Sequence, residues 1–207
     1  MSIEEIIAHV HENIEGRMCD EFDNVWHLAR SVQMAGGGNY LEIGSLFGGS
    51  AIVASLLMKE LGYGGTVYAI DPFDEYYKKT RNDGGTTVGY PVDPVSRVEV
   101  TLERALNNAR RLGADVQFIK GKASVNNLPR DVQFSVVYID GDHWNGAPWH
   151  DWLLVKDKAS RFVIFDNCDH LHKSVEDAVA KAWQDDEWSL VYKAGITAVL
   201  ERLVKWN

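Results

Sequence analysis

Four apolar stretches of this chain each lead into a glycine or an aspartate, and helical patterns separate them. They are NYLEIG (39–44), GTVYAID (65–71), VQFSVVYID (132–140) and RFVIFDN (161–167), and a less apolar run, DVQFIKG, lies at 115–121. Strand-like runs that alternate with helical ones indicate βαβ units and a mainly parallel sheet. Residues 132–140 are apolar almost throughout, which predicts a central strand because such strands are buried on both faces.

The C-terminal end of the chain predicts an exception to the parallel order. EWSLVYKAG and ITAVLERL (187–203) form two adjacent strand-like runs with a glycine between them. Their connection is too short for a crossover, so one of the two strands must run antiparallel. Helical periodicity is found at 3–14, 20–35, 48–61, 95–112 and 171–183. The predicted fold class is α/β, with a doubly wound, mostly parallel seven-stranded sheet, an antiparallel last strand and helices on both faces.

Residues 1–207 are predicted to form one domain, because the length suffices for one large core and is short for two. Two leading helices occupy 1–37, and 38–203 form the core. Residues 72–94 hold three of the five prolines and have no clean period, which predicts a long loop or lid. The leading helices are expected either to cover a substrate site or to form a homo-oligomer.

Composition narrows the partners and the compartment. The formal charge of −9 disfavours nucleic acid, whose phosphates need a basic face. No apolar run approaches the roughly 20 residues of a membrane span, and the N-terminus lacks the pattern of a secretory signal. Cys19 and Cys168 have no metal-type spacing and are expected to be free thiols. A cytoplasmic protein with a small-molecule partner is the expectation.

The turn LEIGSLFGGS (41–50) is a candidate ligand site. Glycines at the end of a strand let the backbone approach a ligand, and the following helix offers free N–H groups. The glycines at 44, 48 and 49 do not have the G-x-G-x-x-G spacing, and no Walker lysine follows, so the glycines could also serve only a tight turn. Asp71 ends the next strand, where an acid can accept hydrogen bonds from ribose hydroxyls. The alternative is a solvated acid before a proline.

Acidic side chains end two strands that are expected to be neighbours. Asp140 closes the fourth strand, and Asp166 and Asn167 close the fifth. Adjacent strands lie about 4.8 Å apart, so these side chains should meet at the rim where open α/β sheets bind ligands. Two carboxylates and an amide oxygen suit Mg²⁺, which keeps waters and substrate oxygens in its shell. The alternative is two solvated acids at strand ends.

His143 follows Asp140 by three residues and is a candidate base, because histidine takes up protons near neutral pH. A structural histidine is the alternative. Asp142 could orient His143 or be exposed. The remaining histidines of this part of the chain are expected at the surface or at helix caps; they are His150, His170 and His172.

Three tryptophans follow the acidic turn in WNGAPWHDW (144–152). Trp152 is expected to pack into the core. Trp144 and Trp149 are expected to wall a substrate pocket, together with Tyr76 and Tyr77 of the long loop. Aromatic walls suit a planar phenol or the apolar face of a sugar.

The glycine turn, together with YAIDP (68–72), resembles the class I S-adenosylmethionine-dependent methyltransferases. Among them the chain is most similar to the small metal-dependent O-methyltransferases of the catechol and caffeoyl-CoA type and to relatives that act on macrolide sugars. The resemblance extends over roughly residues 38–200. It implies a Rossmann-like fold, S-adenosylmethionine and Mg²⁺ or a similar divalent cation as cofactors, and methylation of a small hydroxylated acceptor.

The resemblance also implies roles for individual residues. Cofactor contacts are expected at Glu42, Gly44, Ser45, Gly48, Ser50, Asp71, Ala123, Ser124 and Asp140. Among these, Ser50 would hold the methionine carboxylate, Asp71 the ribose, and Ala123 and Ser124 the adenine. Mg²⁺ would be bound by Asp140, Asp166 and Asn167, as in the catechol-type enzymes.

Catalysis would fall to His143 and Asp140, since a histidine in a similar DGDH motif is the proposed base in the macrolide-sugar relatives. The segment WNGAPW departs from those relatives, which puts the identity of the acceptor in doubt. Two other functions remain open at this stage. One is a non-catalytic S-adenosylmethionine-binding regulator, and the other is a nicotinamide-dependent oxidoreductase, against which the absent G-x-G-x-x-G counts.

Overall fold

The computed structural model describes residues 1–18, 22–73, 78–79, 88–89, 92–93 and 95–203. The helices within these ranges are α1 (Ile3–Asn13), α2 (Phe22–Ala35), α3 (Gly49–Glu60), α4 (Leu102–Leu112), α5 (Ala147–Val155) and α6 (Lys173–Ala182). The strands are β1 (Asn39–Ile43), β2 (Val67–Asp71), β3 (Lys78–Lys79), β4 (Val88–Gly89), β5 (Gln117–Lys120), β6 (Phe134–Ile139), β7 (Ala159–Phe165), β8 (Trp188–Ala194) and β9 (Thr197–Arg202).

Seven strands form one sheet in the order β5-β2-β1-β6-β7-β9-β8. The pairs among β5, β2, β1, β6 and β7 are parallel, whereas β9 is antiparallel to both β7 and β8. This confirms the predicted fold class, including the reversed last strand. Within the predicted loop 72–94, β3 and β4 form a short antiparallel pair. Tyr76 and Tyr77 lie outside the described residues.

The sheet is buried on both faces, because alternate side chains of its central strands enter two different cores. Val136 and Tyr138 of β6 pack in the core that α1, α2 and α3 cover. Val137 and Ile139 point the other way, into the core beneath α5 and α6. The continuous apolar pattern of residues 132–140 therefore predicted the central strand correctly.

The two leading helices cover one face of the sheet by packing on α3. Ser2 caps α1 through a reciprocal pair of hydrogen bonds with Glu5, and the apolar face of α1 is fully buried at Ile6, Ile7 and Val10. Because α1 and α2 are fixed on α3, the short segment after α1 is carried to the carboxyl end of β1. None of the helices in the described part of the chain is long and apolar enough to cross a membrane.

The structure revises the predicted start of one helix and confirms the free thiol expected at Cys168. The helix predicted over 95–112 begins only at Leu102, because Thr101 adopts an extended conformation and its hydroxyl accepts a hydrogen bond from the Arg104 N–H. The preceding residues form a turn instead, in which Arg97 has a φ of 62°. Cys168 is a buried free thiol, as expected. Cys19 lies outside the described residues.

Among the residues that the structure describes, Trp152 is the largest fully buried side chain, with 1% of its surface exposed. Its ring centroid lies 5.0 Å from that of Trp188 and 6.1 Å from that of Phe165. We expect Trp152→Ala to lower the free energy of unfolding by about 3–5 kcal/mol, since the emptied volume cannot be refilled. Trp183 is 58% exposed, so Trp183→Ala should change it by no more than about 0.5 kcal/mol. Urea denaturation of both variants tests this, and equal losses would contradict the assigned packing.

Candidate active site

A cavity of about 280 Å³ opens at the carboxyl ends of β1, β6 and β7. Three parts of the chain form most of its walls. They are the glycine turn between β1 and α3, the acidic ends of β6 and β7, and the segment between α1 and α2. This is the position at which open α/β sheets bind ligands, and it brings together residues that are far apart in sequence.

Gly44 allows β1 and β6 to approach each other at this edge of the sheet. Its φ is +88°, and a Cβ added there would lie 2.0 Å from the Asp140 carbonyl oxygen. Gly48, with a φ of +87°, begins α3 at its N-cap position. The first residues of α3, Gly49 and Ser50, then face the cavity. The glycines are therefore needed both for the strand contact and for the sharp entry into α3.

Glu42 is fully buried directly behind the cavity wall. Its carboxyl group accepts hydrogen bonds from the Tyr40 hydroxyl at 2.8 Å and from the Ser50 hydroxyl at 2.9 Å. Burial raises the pKa of Glu42 to about 8, against the opposing effect of the two hydroxyl donors. The Ser50 hydroxyl is therefore engaged by Glu42 and is not directed freely into the cavity.

Asp71 holds the backbone of the glycine turn from inside the protein and does not line the cavity. Its carboxylate is fully buried and accepts hydrogen bonds from the backbone N–H groups of Ser45 at 2.8 Å and Leu46 at 2.9 Å. Ala123 and Ser124 also lie away from the cavity walls. Ser124 donates its backbone N–H and its hydroxyl to the Asn127 side chain at 2.9 and 2.8 Å. The roles expected of these three residues toward a nucleoside stay predictions.

Asp140 and Asp166 lie together on the cavity wall, as the strand-end argument predicted. Removal from water raises the pKa of Asp140 to about 7. Burial also raises the pKa of Asp166 well above its ordinary value, and the neighbouring charge of Asp140 adds to that rise. The Asp166 Oδ1 atom is buried and has no hydrogen-bond partner among the described residues. Two such carboxylates cannot both be ionised without a compensating positive charge.

Asn167 completes this group and also lines the cavity, with a φ of 54° that turns the chain sharply after β7. The described residues contain no group of three or more histidine, cysteine, aspartate or glutamate side chains arranged for a metal. The oxygen donors that the chain offers are two carboxylates and one amide.

His143 stands beside the acid pair, with its Nε2 atom 3.3 Å from the Asp140 Oδ1 atom. Burial lowers the pKa of His143, although three nearby aspartates oppose that effect. His172 packs edge-on against it, with ring centroids 5.2 Å apart, and His172 Nδ1 lies 3.0 Å from Asp169 Oδ1. His172 is at the N-cap of α6, as the sequence suggested, but it also supports the candidate base, which the sequence did not indicate.

The three tryptophans occupy three different environments. Trp144 is 54% exposed at the rim, with its ring 5.5 Å from that of His172. Trp149 belongs to α5 and faces α6, where the Lys181 Nζ atom lies 5.5 Å from its ring centroid. It is not part of the cavity wall. Trp152 belongs to the core, as predicted. Of the two described aromatic residues that were expected around a substrate, Trp144 lies near the candidate base and Trp149 does not.

Several cavity residues carried no signal in the sequence. Arg17 and Met18 come from the segment between α1 and α2, and Ile196 from the turn between β8 and β9. Arg17 is fixed by Asp93, whose carboxylate oxygens lie 3.1 and 3.2 Å from the Arg17 Nε atom. No motif marks these positions, because they reach the cavity only through the packing of distant elements.

The close approach at Gly44 predicts a large cost for any side chain there. Gly44→Ala should lower the free energy of unfolding by at least about 3 kcal/mol, because a backbone clash adds to the strain of a positive φ. Gly62 is the matched control, with a φ of +66° and open space around an added Cβ. Gly62→Ala should cost only about 1–2 kcal/mol. Chemical denaturation measures both, and a Gly44→Ala loss no larger than the control would refute the assigned contact.

The raised pKa of Glu42 predicts that stability falls as the pH rises. A carboxyl group whose folded pKa exceeds its unfolded value stabilises the fold below about pH 4, and that contribution is lost as the pH rises through about 8. The free energy of unfolding should therefore decrease between about pH 5 and about pH 8. Glu42→Gln should flatten this decrease, whereas the exposed control Glu103→Gln should leave it unchanged. Denaturant titrations at several pH values measure this dependence. If the free energy of unfolding of Glu42→Gln decreased with pH as steeply as that of the wild type, Glu42 would not be its cause.

A family model described as a methyltransferase domain matches residues 41–168. The structure is also similar to that of the O-methyltransferase NovP, with a TM-score of 0.66 and 18% identity over 86% of this chain and 78% of that one. A search of curated proteins found no match.

Two further similar structures come from bacteria and contain a cofactor. The first is the O-methyltransferase of Bacillus cereus in complex with S-adenosylhomocysteine, with a TM-score of 0.62 and 16% identity over 99% of this chain and 91% of that one. The second is TomG of Streptomyces achromogenes, an O-methyltransferase involved in tomaymycin synthesis, in complex with S-adenosylmethionine. It has a TM-score of 0.62 and 12% identity over 98% and 90% of the two chains. The chain belongs to the methyltransferase domain family, with the fold of the class I S-adenosylmethionine-dependent enzymes.

Proposed function

We propose that this methyltransferase transfers the methyl group of S-adenosylmethionine to an oxygen atom of a small hydroxylated acceptor, with Mg²⁺ or a similar divalent cation at the acid pair. The observation that carries the proposal is the pair of half-buried Asp140 and buried Asp166 on the cavity wall, where the Asp166 Oδ1 atom has no hydrogen-bond partner among the described residues. Similarity to structures of O-methyltransferases supports oxygen as the accepting atom.

The residues of the acid pair fit a divalent cation. Burial raises the pKa of both carboxyl groups, and the charge of Asp140 raises the pKa of Asp166 further. A positive charge beside them would therefore remove an electrostatic cost. A cation would also give the Asp166 Oδ1 atom the partner that it lacks. The donor set with Asn167 is all oxygen and incomplete, which suits Mg²⁺ because that ion keeps positions for water and substrate oxygens.

When bound, the cofactor would supply an activated methyl group, and the cation would polarise the acceptor hydroxyl. The remaining work falls to the chain. The glycine turn would let the backbone approach the cofactor closely, and the cavity walls would position the cofactor and the acceptor, which supplies much of the rate enhancement in such transfers. Asp140, Asp166 and Asn167 would hold the cation at the end of the cavity where the acceptor oxygen must lie.

His143 would remove the proton from the acceptor hydroxyl at its Nε2 atom. Its lowered pKa keeps the imidazole neutral at physiological pH and hence able to accept a proton. Asp140, 3.3 Å away, would stabilise the imidazolium that forms. His172 packs against the His143 ring and limits its orientations. The exposed Trp144 beside His172 offers an apolar face to an acceptor such as a phenol, a catechol or a sugar.

Asp166→Asn tests the proposed cation site with little change in shape. We expect the variant to lose at least about tenfold in Mg²⁺ affinity, equivalent to about 1.4 kcal/mol, while its affinity for S-adenosylhomocysteine stays near that of the wild type. Asp157→Asn is the matched control, since Asp157 is exposed in the turn between α5 and β7. Calorimetric titration with MgCl₂ and with S-adenosylhomocysteine measures both affinities.

Each part of the proposal can fail separately in this experiment. Unchanged Mg²⁺ affinity in Asp166→Asn would contradict the cation site, whereas a wild-type protein that does not bind S-adenosylhomocysteine would contradict the cofactor. Turnover is followed as release of S-adenosylhomocysteine with a panel of catechols, phenols and sugars. Cofactor binding without turnover of any acceptor would favour a non-catalytic regulator instead.

A further inference from the structure

Arg17 brings a permanent positive charge into the candidate active site. Among the described residues that line the cavity, it is the only lysine or arginine. It lies on the wall that also contains Gly49 and Ser50, the first residues of α3. The amino end of a helix carries a partial positive charge, so this wall combines two sources of positive potential in a chain of formal charge −9.

The position of Arg17 is fixed before any ligand enters. Its Nε atom lies 3.1 and 3.2 Å from the two carboxylate oxygens of Asp93, which is fully buried. Asp93 is held in turn by the backbone N–H and the hydroxyl of Ser96, at 2.6 and 2.8 Å. A guanidinium group that is already oriented loses little conformational freedom when it binds an anion.

The acid pair occupies a different part of the cavity wall. Asp140 and Asp166 lie at the ends of β6 and β7, where the proposed function places a divalent cation. The wall formed by Arg17 and the start of α3 is the part of the cavity that suits the carboxylate of a ligand.

The cofactor of the proposed function carries such a carboxylate, because S-adenosylmethionine and S-adenosylhomocysteine both contain an α-amino acid group. Ser50 was the residue expected to hold the carboxylate of that group, but its hydroxyl donates to the buried Glu42 at 2.9 Å. Arg17 lies on the same wall and offers charge-assisted hydrogen bonds, which are about twice as strong as neutral ones. Resting on the proposed function, we propose that Arg17 binds the amino acid carboxylate of the cofactor.

This assignment gives the N-terminal helices a part in cofactor binding. The segment that carries Arg17 is placed by the packing of α1 and α2 on α3. Cofactor affinity would therefore depend on a residue outside the sheet and its glycine turn.

The test compares two ligands that differ only by the amino acid group. S-adenosylhomocysteine contains it, and 5′-methylthioadenosine keeps the nucleoside and the thioether without it. Arg17→Gln should weaken S-adenosylhomocysteine binding by about 10- to 100-fold, the range expected for lost bonds to a charged group. Its affinity for 5′-methylthioadenosine should stay within about twofold of the wild-type value, because that ligand has no carboxylate to lose.

Two further variants separate charge from structure. Arg17→Lys keeps the charge but not the planar fork, so we expect a smaller selective loss, and this variant carries the test if Arg17→Gln does not fold. Arg104→Gln is the control, since Arg104 pairs with Glu15 near the same segment but does not line the cavity. It should bind both ligands as the wild type does.

Three results would overturn the assignment. Equal losses for both ligands would mean that Arg17 acts only through Asp93 on the fold. If Arg17→Gln left the affinity for S-adenosylhomocysteine unchanged but raised the KM for an acidic acceptor, Arg17 would bind the acceptor and not the cofactor. A wild-type protein that binds neither ligand would refute the proposed function and this inference with it. A loss of binding that is confined to the variants would leave the proposed function intact.

Discussion

The contact between the ends of β1 and β6 is the constraint on which the cavity depends. The Asp140 N–H donates to the Ile43 carbonyl at 2.8 Å, and the Gly44 N–H donates to the Ile70 carbonyl of β2 at 2.9 Å. These bonds fix three strand ends side by side. Any side chain at residue 44 would occupy the space of the Asp140 carbonyl. The glycine turn and the acid that ends β6 are thus two parts of one packing arrangement, and together they place the start of α3 against the acids.

Much of this arrangement was predictable because it depends on local patterns and on one property of parallel sheets. Apolar runs of about six residues identify strands, and parallel strands align their carboxyl ends. This suffices to bring Asp140, Asp166 and Asn167 together from positions 26 residues apart. That one of the final two strands is antiparallel followed from the length of their connection, and the family resemblance indicated that it is the last one.

The remainder depended on packing between distant elements, which no local pattern reports. Arg17 reaches the cavity because two helices that precede the sheet dock on α3. Trp149 was expected beside the substrate, but the rotation of α5 directs it toward Lys181 of α6 while Trp152, one turn later, enters the core. The start of α4 was misplaced because a single threonine cap outweighs the helical periodicity of the residues before it.

The Asp71 carboxylate has a consequence for the thermodynamics of ligand binding. By accepting the N–H groups of Ser45 and Leu46, it ties down the backbone of the glycine turn from inside the protein. A loop that must be ordered by its ligand loses conformational entropy on binding, and this reduces the observed affinity. Here that entropy is already lost when the chain folds. Ordering the turn therefore lowers the stability of the fold and does not lower the affinity for the ligand.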